Sequence, residues 1–259
     1  MEQQVDGVTI HYVEQGEGLP VVAFHGGGVD HRESRAWLEE VLPDGEFRRV
    51  YVDLPGMGRS TAVGLNGNDD VADVLASFVE RIGEPVILVG HSYGGYHARG
   101  VAARRPEAVR AMVLVCPIGE ETTEVPGQEA VAEDPAAYDE LEPGQREDFD
   151  GYFVVRTPAT ARRYRDHVAP AGELMDDEAM ARISGGWSID VGASDFPGPV
   201  LIVAGRRDSS VGWVDAAALA DLYPDSTLEI FEDGGHALMH EQPEQLRATL
   251  DRWLPAVRG

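Results

Sequence analysis

The sequence predicts an α/β fold: a mostly parallel central sheet with helices on both faces, carrying a helical insertion. Three observations lead there. The apolar runs 20–24, 85–89, 109–116 (interrupted by Arg110) and 199–204 are continuous rather than alternating, as strands buried on both faces must be. They alternate along the chain with stretches whose apolar residues recur at helical spacing. Several of them stop in glycine-bearing turns, at the sheet edge where open parallel sheets hold ligands. With 259 residues, 43% of them hydrophobic, the chain can build one large domain with a proper core.

In order, residues 8–14 alternate with period two, the pattern of a half-buried strand. Gln15-Gly16-Glu17-Gly18 turns the chain, and the apolar strand 20–24 runs into His25-Gly26-Gly27-Gly28. Helical spacing over 35–42 is followed by strand character over 47–54 and the turn Pro55-Gly56-Met57-Gly58-Arg59-Ser60. Asp69 and Asp70 suit a helix N-terminus, and Val71, Val74, Leu75, Phe78, Val79 and Ile82 then share one face until Gly83. The strand 85–89 meets Gly90-His91-Ser92-Tyr93-Gly94, and 96–104 reads as a helix that Pro106 ends. A strand that becomes a helix within a few residues forces its corner residue into a strained conformation and needs small neighbours on either side. This Gly-x-Ser-x-Gly corner is the pattern of a nucleophile elbow, with Ser92 pushed clear of the sheet.

Strand 109–116 stops at Pro117, and the character changes over 118–196. Acids crowd the first half, from Glu120 to Asp150, and 149–165 mixes aromatics with Arg156, Arg162, Arg163 and Arg165. Helices are expected over 159–168 and 177–183. The organisation expected is a helical cap, 118–196, inserted into a core made of 1–117 and 197–259, since a structureless loop of that length is improbable. Alternation then resumes. Strand 199–204 leads to Gly205-Arg206-Arg207-Asp208, helix 213–223 follows, and strand 227–231 leads to Glu232-Asp233-Gly234-Gly235-His236. The closing helix, 243–253, begins with proline as helices prefer.

Ser92, Asp208 and His236 thus fall at the C-terminal ends of three strands. A serine hydroxyl is a poor nucleophile until an imidazole takes its proton, and the imidazole needs an acid to fix its tautomer. The glycines after His25 leave backbone N–H groups uncovered, which suits an oxyanion loop. Competing readings are weaker on chemistry. Asp233 reads as a solvated turn, Cys116 as a core residue without a glycine elbow, and Glu120 or Glu121 as a substitute for Asp208. No His, Cys or Asp spacing suggests a metal site, and no Gly-x-Gly-x-x-Gly suggests a dinucleotide, so no cofactor is expected.

Charge narrows the partners. The 21 basic residues, all Arg, stand against 46 acids for a net −25. Such a field repels nucleic-acid phosphates and anionic membrane surfaces, which leaves a small-molecule substrate. No apolar run approaches the ~20 residues of a membrane span. The N-terminus, Met1-Glu2-Gln3-Gln4-Val5-Asp6, lacks a basic and apolar leader, and Cys116 is the single cysteine. The expectation is a cytoplasmic monomer or homodimer.

The glycine loop, Asp53-Leu54-Pro55-Gly56-Met57-Gly58-Arg59-Ser60, the Ser92 corner, Gly205 to Asp208 and Gly234-Gly235-His236 together resemble the α/β-hydrolase superfamily, in its branch with a helical cap. The likeness spans the chain outside the cap. It implies that Ser92 is the nucleophile, His236 the general base and acid, and Asp208 the orienting carboxylate. The oxyanion hole would use the backbone N–H of Tyr93 and that of Gly27, or next Gly26. His25, His91 and His240 are expected to be structural. The implied activity is hydrolysis of a small or medium acyl substrate, most simply a carboxylic ester, through an acyl-enzyme. Serine at the elbow argues against the epoxide hydrolase and haloalkane dehalogenase relatives, which use Asp there. Two alternatives share the fold. One resembles proline iminopeptidases, with cap acids holding an ammonium. The other resembles carbon–carbon bond hydrolases, with the Arg156–Arg165 cluster meeting a carboxylate. A slow-turnover ligand receptor of the same fold is the alternative from another class.

Overall fold

The computed structural model describes residues 1–43, 45–119, 124–191 and 196–257. The chain begins with β1 (Glu2–Val5), β2 (Val8–Gln15), β3 (Leu19–Phe24), α1 (His31–Val41), β4 (Phe47–Val52), α2 (Asn68–Glu80), β5 (Val86–His91), α3 (Tyr93–Arg104) and β6 (Val109–Val115). A run of short elements follows: β7 (Ala132–Glu133), α4 (Arg146–Tyr152), β8 (Val155–Arg156), α5 (Pro158–Arg163), α6 (Ala169–Ala171) and α7 (Asp177–Ser184). The chain closes with β9 (Val200–Gly205), α8 (Val214–Ala218), β10 (Ser226–Phe231), α9 (Leu238–Glu241) and α10 (Pro243–Val257).

The main sheet has the order β1-β2-β4-β3-β5-β6-β9-β10. From β4 to β10 every pairing is parallel, while β2 and β1 are antiparallel at one edge. The mostly parallel sheet read from the sequence is therefore present. The strand β1 lies outside that reading, because Glu2-Gln3-Gln4-Val5 offers one buried apolar residue, Val5. Its hairpin rests on two consecutive positive-φ residues, Asp6 at 50° and Gly7 at 89°, a turn whose twist matches the strands it joins.

Residues alternate in direction along each strand, and here both directions are buried. Val86 and Leu88 of β5 pack with Val71, Leu75 and Phe78 of α2 and with Val101 of α3. Ile87 and Val89 pack on the other face with Trp37 and Val41 of α1 and Leu250 and Trp253 of α10. This is why the strands read as unbroken apolar runs. Parallel pairing also carries the ends of β3, β5, β9 and β10 to one edge of the sheet.

Between β6 and β9 a separate cluster forms around Phe149, Phe153, Ala161, Tyr164 and Val168. The Phe149 ring lies 5.0 Å from Phe153 and 5.7 Å from Tyr164. The helix expected over 159–168 is only partly regular. Thr157 and Thr160 cap α5 reciprocally, but residues 164–168 widen into a π turn ahead of Pro170. A proline there has no N–H to give and its ring clashes with the carbonyl four residues back, so the turn opens. Two further boundaries differ from the sequence reading. Asp30 caps α1 by accepting from the Arg32 N–H at 2.9 Å, which starts that helix at His31 rather than Arg35. The expected helix 213–223 stops at Ala218 and tightens into a 3₁₀ turn over Leu219–Leu222.

The inserted segment is fastened to the sheet layers by arginine side chains. Arg182 donates to Leu65 at 2.8 Å and to Ala62 at 3.0 Å, and Arg163 pairs with Glu40 on α1. Among the described residues no helix is long and apolar enough to cross a membrane. The aromatic cluster makes a specific demand on stability. Phe149→Ala should remove about 3–5 kcal/mol of packing from the inserted segment. Limited proteolysis should then cut within 124–191 at protease levels that leave the wild type whole, and equal resistance would show that the cluster does not hold the segment.

Candidate active site

Ser92 joins β5 to α3 with φ 52° and ψ −115°, in the left-handed region that a non-glycine residue enters at a penalty of about 1–3 kcal/mol. The corner closes only because its neighbours lack side chains. A Cβ on Gly90 would lie 2.5 Å from the Gly94 carbonyl oxygen, and one on Gly94 would overlap the carbonyl of Phe24 at the end of β3. Ser92 is pinned on both sides, its N–H donating to Val115 at 3.0 Å and its carbonyl accepting from Tyr96 at 3.1 Å.

The loops after β9 and β10 meet beside it. A Cβ on Gly205 would lie 2.5 Å from the Gly235 carbonyl, so a glycine there lets the two loops touch. Asp208, fully buried, accepts at Oδ1 from the N–H groups of Ser210 (2.9 Å) and Val211 (3.0 Å). Its Oδ2 accepts from Nδ1 of His236 at 2.8 Å. Burial alone would raise the Asp208 carboxyl, but the His236 ring and the two amides outweigh it and hold it below the usual carboxylate value. Because His236 donates from Nδ1, its neutral form carries the lone pair on Nε2.

Ser92 and His236 line one cavity of about 340 Å³ together with Gly26 and Gly27. Tyr152, Tyr164, Val168 and Asp148 line it from the inserted segment. Tyr93 opens α3, where helix N–H groups lack intrahelical acceptors, and Gly27 lies alongside it, with room for a Cβ 3.6 Å from that of Tyr93. Among the described residues neither the Gly27 nor the Tyr93 amide donates a hydrogen bond. The arrangement offers a hydroxyl on a sharp corner, an imidazole oriented by a buried carboxylate, and two open amides, which together suit acyl transfer.

The other histidines have other partners. His25 donates from Nδ1 to the Gly26 carbonyl at 2.7 Å and accepts at Nε2 from the Leu54 N–H at 2.9 Å, which fixes it as a neutral strut. Burial keeps its pKa below the usual histidine value. His91 donates to the His236 carbonyl, and His240 faces Glu33. Cys116 is fully buried, and burial pushes its thiol well above the usual value, so it is no nucleophile at neutral pH. Asp233 is exposed on its turn. Glu120 and Glu121 lie outside the described residues.

Two groups of possible metal ligands come together that spacing did not reveal: His11, His31 and Asp53, and Cys116, Asp208 and His236. The second group is the pair just described plus a buried thiol. In the first, His11 and the Arg59 N–H occupy Oδ2 of Asp53, and the ring and N–H of His31 occupy Oδ1, so the carboxylate is already saturated. The Arg cluster is likewise occupied. Arg156 pairs with Glu133 and Asp150, Arg162 with Glu140, Arg163 with Glu40, and Arg165 with Glu140 and Asp166. None of these four lines the cavity of Ser92.

Sequence reasoning passed over Tyr152, Tyr164 and Val168 as lining residues, Glu33 as a buried acid and Glu241 as a partly buried one. The aromatic content of 149–165 was the available signal for the two tyrosines. Glu241 accepts from the N–H groups of Val154 (2.6 Å), Val155 (3.1 Å) and Gly235 (2.9 Å), tying the inserted segment to the His236 loop. No local pattern announces such a clamp, because its donors are main-chain groups from two distant segments.

The sequence pattern of the Alpha/beta hydrolase family matches residues 21–249. The chain is 27% identical over 258 residues to the (E)-2-((N-methylformamido)methylene)succinate hydrolase of Acinetobacter baylyi, covering 95% of this chain and 94% of that one. It is 30% identical over 247 residues to the pimeloyl-[acyl-carrier protein] methyl ester esterase of Cronobacter sakazakii, covering 89% and 91%. The fold matches that of an alpha/beta superfamily hydrolase from Oenococcus oeni with a TM-score of 0.88, at 23% identity over the whole of both chains.

The buried Asp208 has a consequence for stability. Its folded value is depressed, so its contribution is complete above the ordinary carboxylate value of about 3.9 and is lost as pH falls through the lower folded value. Melting temperatures followed from neutral pH to about pH 2.5 should therefore fall more steeply in the wild type than in Asp208→Asn. Parallel curves would mean that folding does not favour the charged form.

Proposed function

The chain belongs to the alpha/beta hydrolase family, and on that premise we propose that it is a serine hydrolase cleaving a small or medium carboxylic ester through an acyl-enzyme. The observation that carries the reading is the shared cavity. Ser92, on its left-handed corner, and His236, donating to Asp208 at 2.8 Å, line the same space beneath the inserted segment.

The steps follow from the groups in place. Ser92 Oγ attacks the acyl carbon while His236 Nε2 takes its proton. The carbonyl oxygen becomes an oxyanion facing the open amides of Tyr93 and Gly27, each such donor being worth ~3 kcal/mol in the transition state. His236 passes its proton to the leaving group, and a water deprotonated by His236 releases the acid. Asp208 stays charged throughout and steadies the imidazolium. A cavity of about 340 Å³ suits a compact acyl group, and the inserted segment acts as the cap over it. The pimeloyl-[acyl-carrier protein] methyl ester esterase among its relatives supports an ester as the substrate class.

A p-nitrophenyl ester series from acetate to decanoate tests this directly. The wild type should turn over steadily with an optimum among the shorter chains, and Ser92→Ala should lose about 10⁴-fold or more in kcat. If a fluorophosphonate labels Ser92 while no ester is hydrolysed, the ester reading fails and the nucleophile stands. If Ser92 is not labelled at all, the assignment of the nucleophile fails.

A further inference from the structure

Four side chains of the inserted segment line the cavity of Ser92, and one of them is acidic. Asp148 and Tyr152 stand four residues apart on α4, a spacing that puts both on one face of the helix. Both line the cavity, together with Tyr164 and Val168. Asp148 is also exposed, which places it at the cavity's open side. Among the described residues its carboxylate meets neither a hydrogen-bond donor nor an arginine. Arg146, on the same helix, is taken by Asp150 at 3.5 Å and by the Tyr138 ring at 3.9 Å.

The walls offer no fixed cation to set against it. Burial brings the His91 pKa down to about 4, so that ring is uncharged at neutral pH. Burial lifts the Tyr152 phenol well above its usual value. Burial lifts the Tyr164 phenol too, and the Asp148 charge adds to the effect, so this carboxylate is felt at a ring inside the cavity. Every basic residue of the chain is arginine, and none of those described lines the cavity. His236 becomes cationic at each proton transfer, but Asp208 already sits against it at 2.8 Å. A carboxylate on an entering substrate would therefore give up water and meet a like charge in place of a partner.

We propose that Asp148 is a specificity-determining residue: it turns away acyl groups that carry a carboxylate, which leaves uncharged acyl groups as the substrate class. The inference rests on the serine esterase reading above and narrows it. A cavity selects by repelling the wrong group as well as by holding the right one. The neighbouring Glu147 separates this role from two plainer ones. It sits in the same first turn of α4, is exposed, and adds the same charge to the net −25. It does not line the cavity. Whatever Asp148 does for the helix N-terminus or for the overall field, Glu147 does as well. Repulsion within the cavity belongs to Asp148 alone of the two.

The test compares two esters, p-nitrophenyl hemiadipate and its ω-carboxamide counterpart, which match in length and shape and differ in charge. Values of kcat/KM are measured for both, with the Ser92→Ala rate subtracted to remove spontaneous hydrolysis. The wild type should favour the carboxamide by about tenfold or more. Asp148→Asn should shrink that preference about fivefold, while Asp148→Glu, which keeps the charge, should hold it within about twofold. Glu147→Gln should also hold it within about twofold. Each preference is a ratio taken within one variant, so a change in folded fraction cancels, and Asp148→Ala decides by the same ratio if Asp148→Asn does not fold. A wild type indifferent to the charge would overturn the proposal. So would an unchanged preference in Asp148→Asn, or one that shrinks as far in Glu147→Gln. If neither ester shows hydrolysis that depends on Ser92, the ester reading fails and the inference falls with it. An enzyme that cleaves both esters alike leaves that reading standing and sinks the role of Asp148 alone.

Discussion

The start of α3 lies against the end of β3 so closely that a side chain on Gly94 would collide with the carbonyl of Phe24. That backbone contact sets the geometry around it. It brings Tyr93, the first residue of α3, beside Gly27 in the loop that continues β3, so that two open amides border one space. It also forces Ser92 into its left-handed conformation, since the chain must leave β5 and enter α3 without room for a gentler bend. The penalty is carried by the sheet. Ser92 donates to Val115 of β6, and the flanking strands pair in parallel register on both sides of β5. A local strain is thus held by cooperative hydrogen bonds that cannot relax one at a time.

The same logic governs the acids. A chain with net charge −25 must keep most carboxylates in water, yet Asp53, Asp208 and Glu33 are fully buried and Glu241 is partly so. Asp53, Asp208 and Glu241 are each compensated by two or three main-chain N–H groups, with histidine rings beside them at Asp53 and Asp208. Backbone donors are fixed in place by the fold, so they hold a charge without side-chain entropy and without titrating. This lets the acids define loop conformations at the sheet edge, where three of these four carboxylates touch a loop that lines the cavity or supports it.

The architecture and the residues of the candidate site were legible because both leave marks that are local in sequence. Continuous apolar runs report burial on both faces, and Gly90 and Gly94 report a tight corner around Ser92. Asp208 and His236 were legible once each was seen to follow a strand, since parallel pairing must gather strand ends on one edge. What sequence did not reveal is non-local. The strand β1 exists through its hairpin with β2 rather than through its own pattern. Asp30 and Glu33 have the spacing of a capping box, in which Glu33 would fold back to its own helix start. It points inward instead, because His240, 207 residues away in sequence, supplies a better donor in the core.

The inserted segment shows why charged residues near a cavity are a poor guide to what the cavity holds. Its arginines invite a role in gripping an anionic substrate, yet Arg156, Arg162, Arg163 and Arg165 each meet acids of the segment itself or of α1. A guanidinium already paired with a carboxylate adds little field at a site it does not line. The Ser92 cavity is bordered instead by tyrosines, glycines and main-chain amides, with Asp148 its one acidic lining residue among those described. Stabilisation of developing negative charge there must come from N–H dipoles, which act over short distances and only on an oxygen placed directly before them. Such a site discriminates by position rather than by net charge, favouring a species that becomes anionic at one atom during reaction over one that arrives charged. That preference agrees with the proposed attack of Ser92 on an uncharged acyl carbonyl.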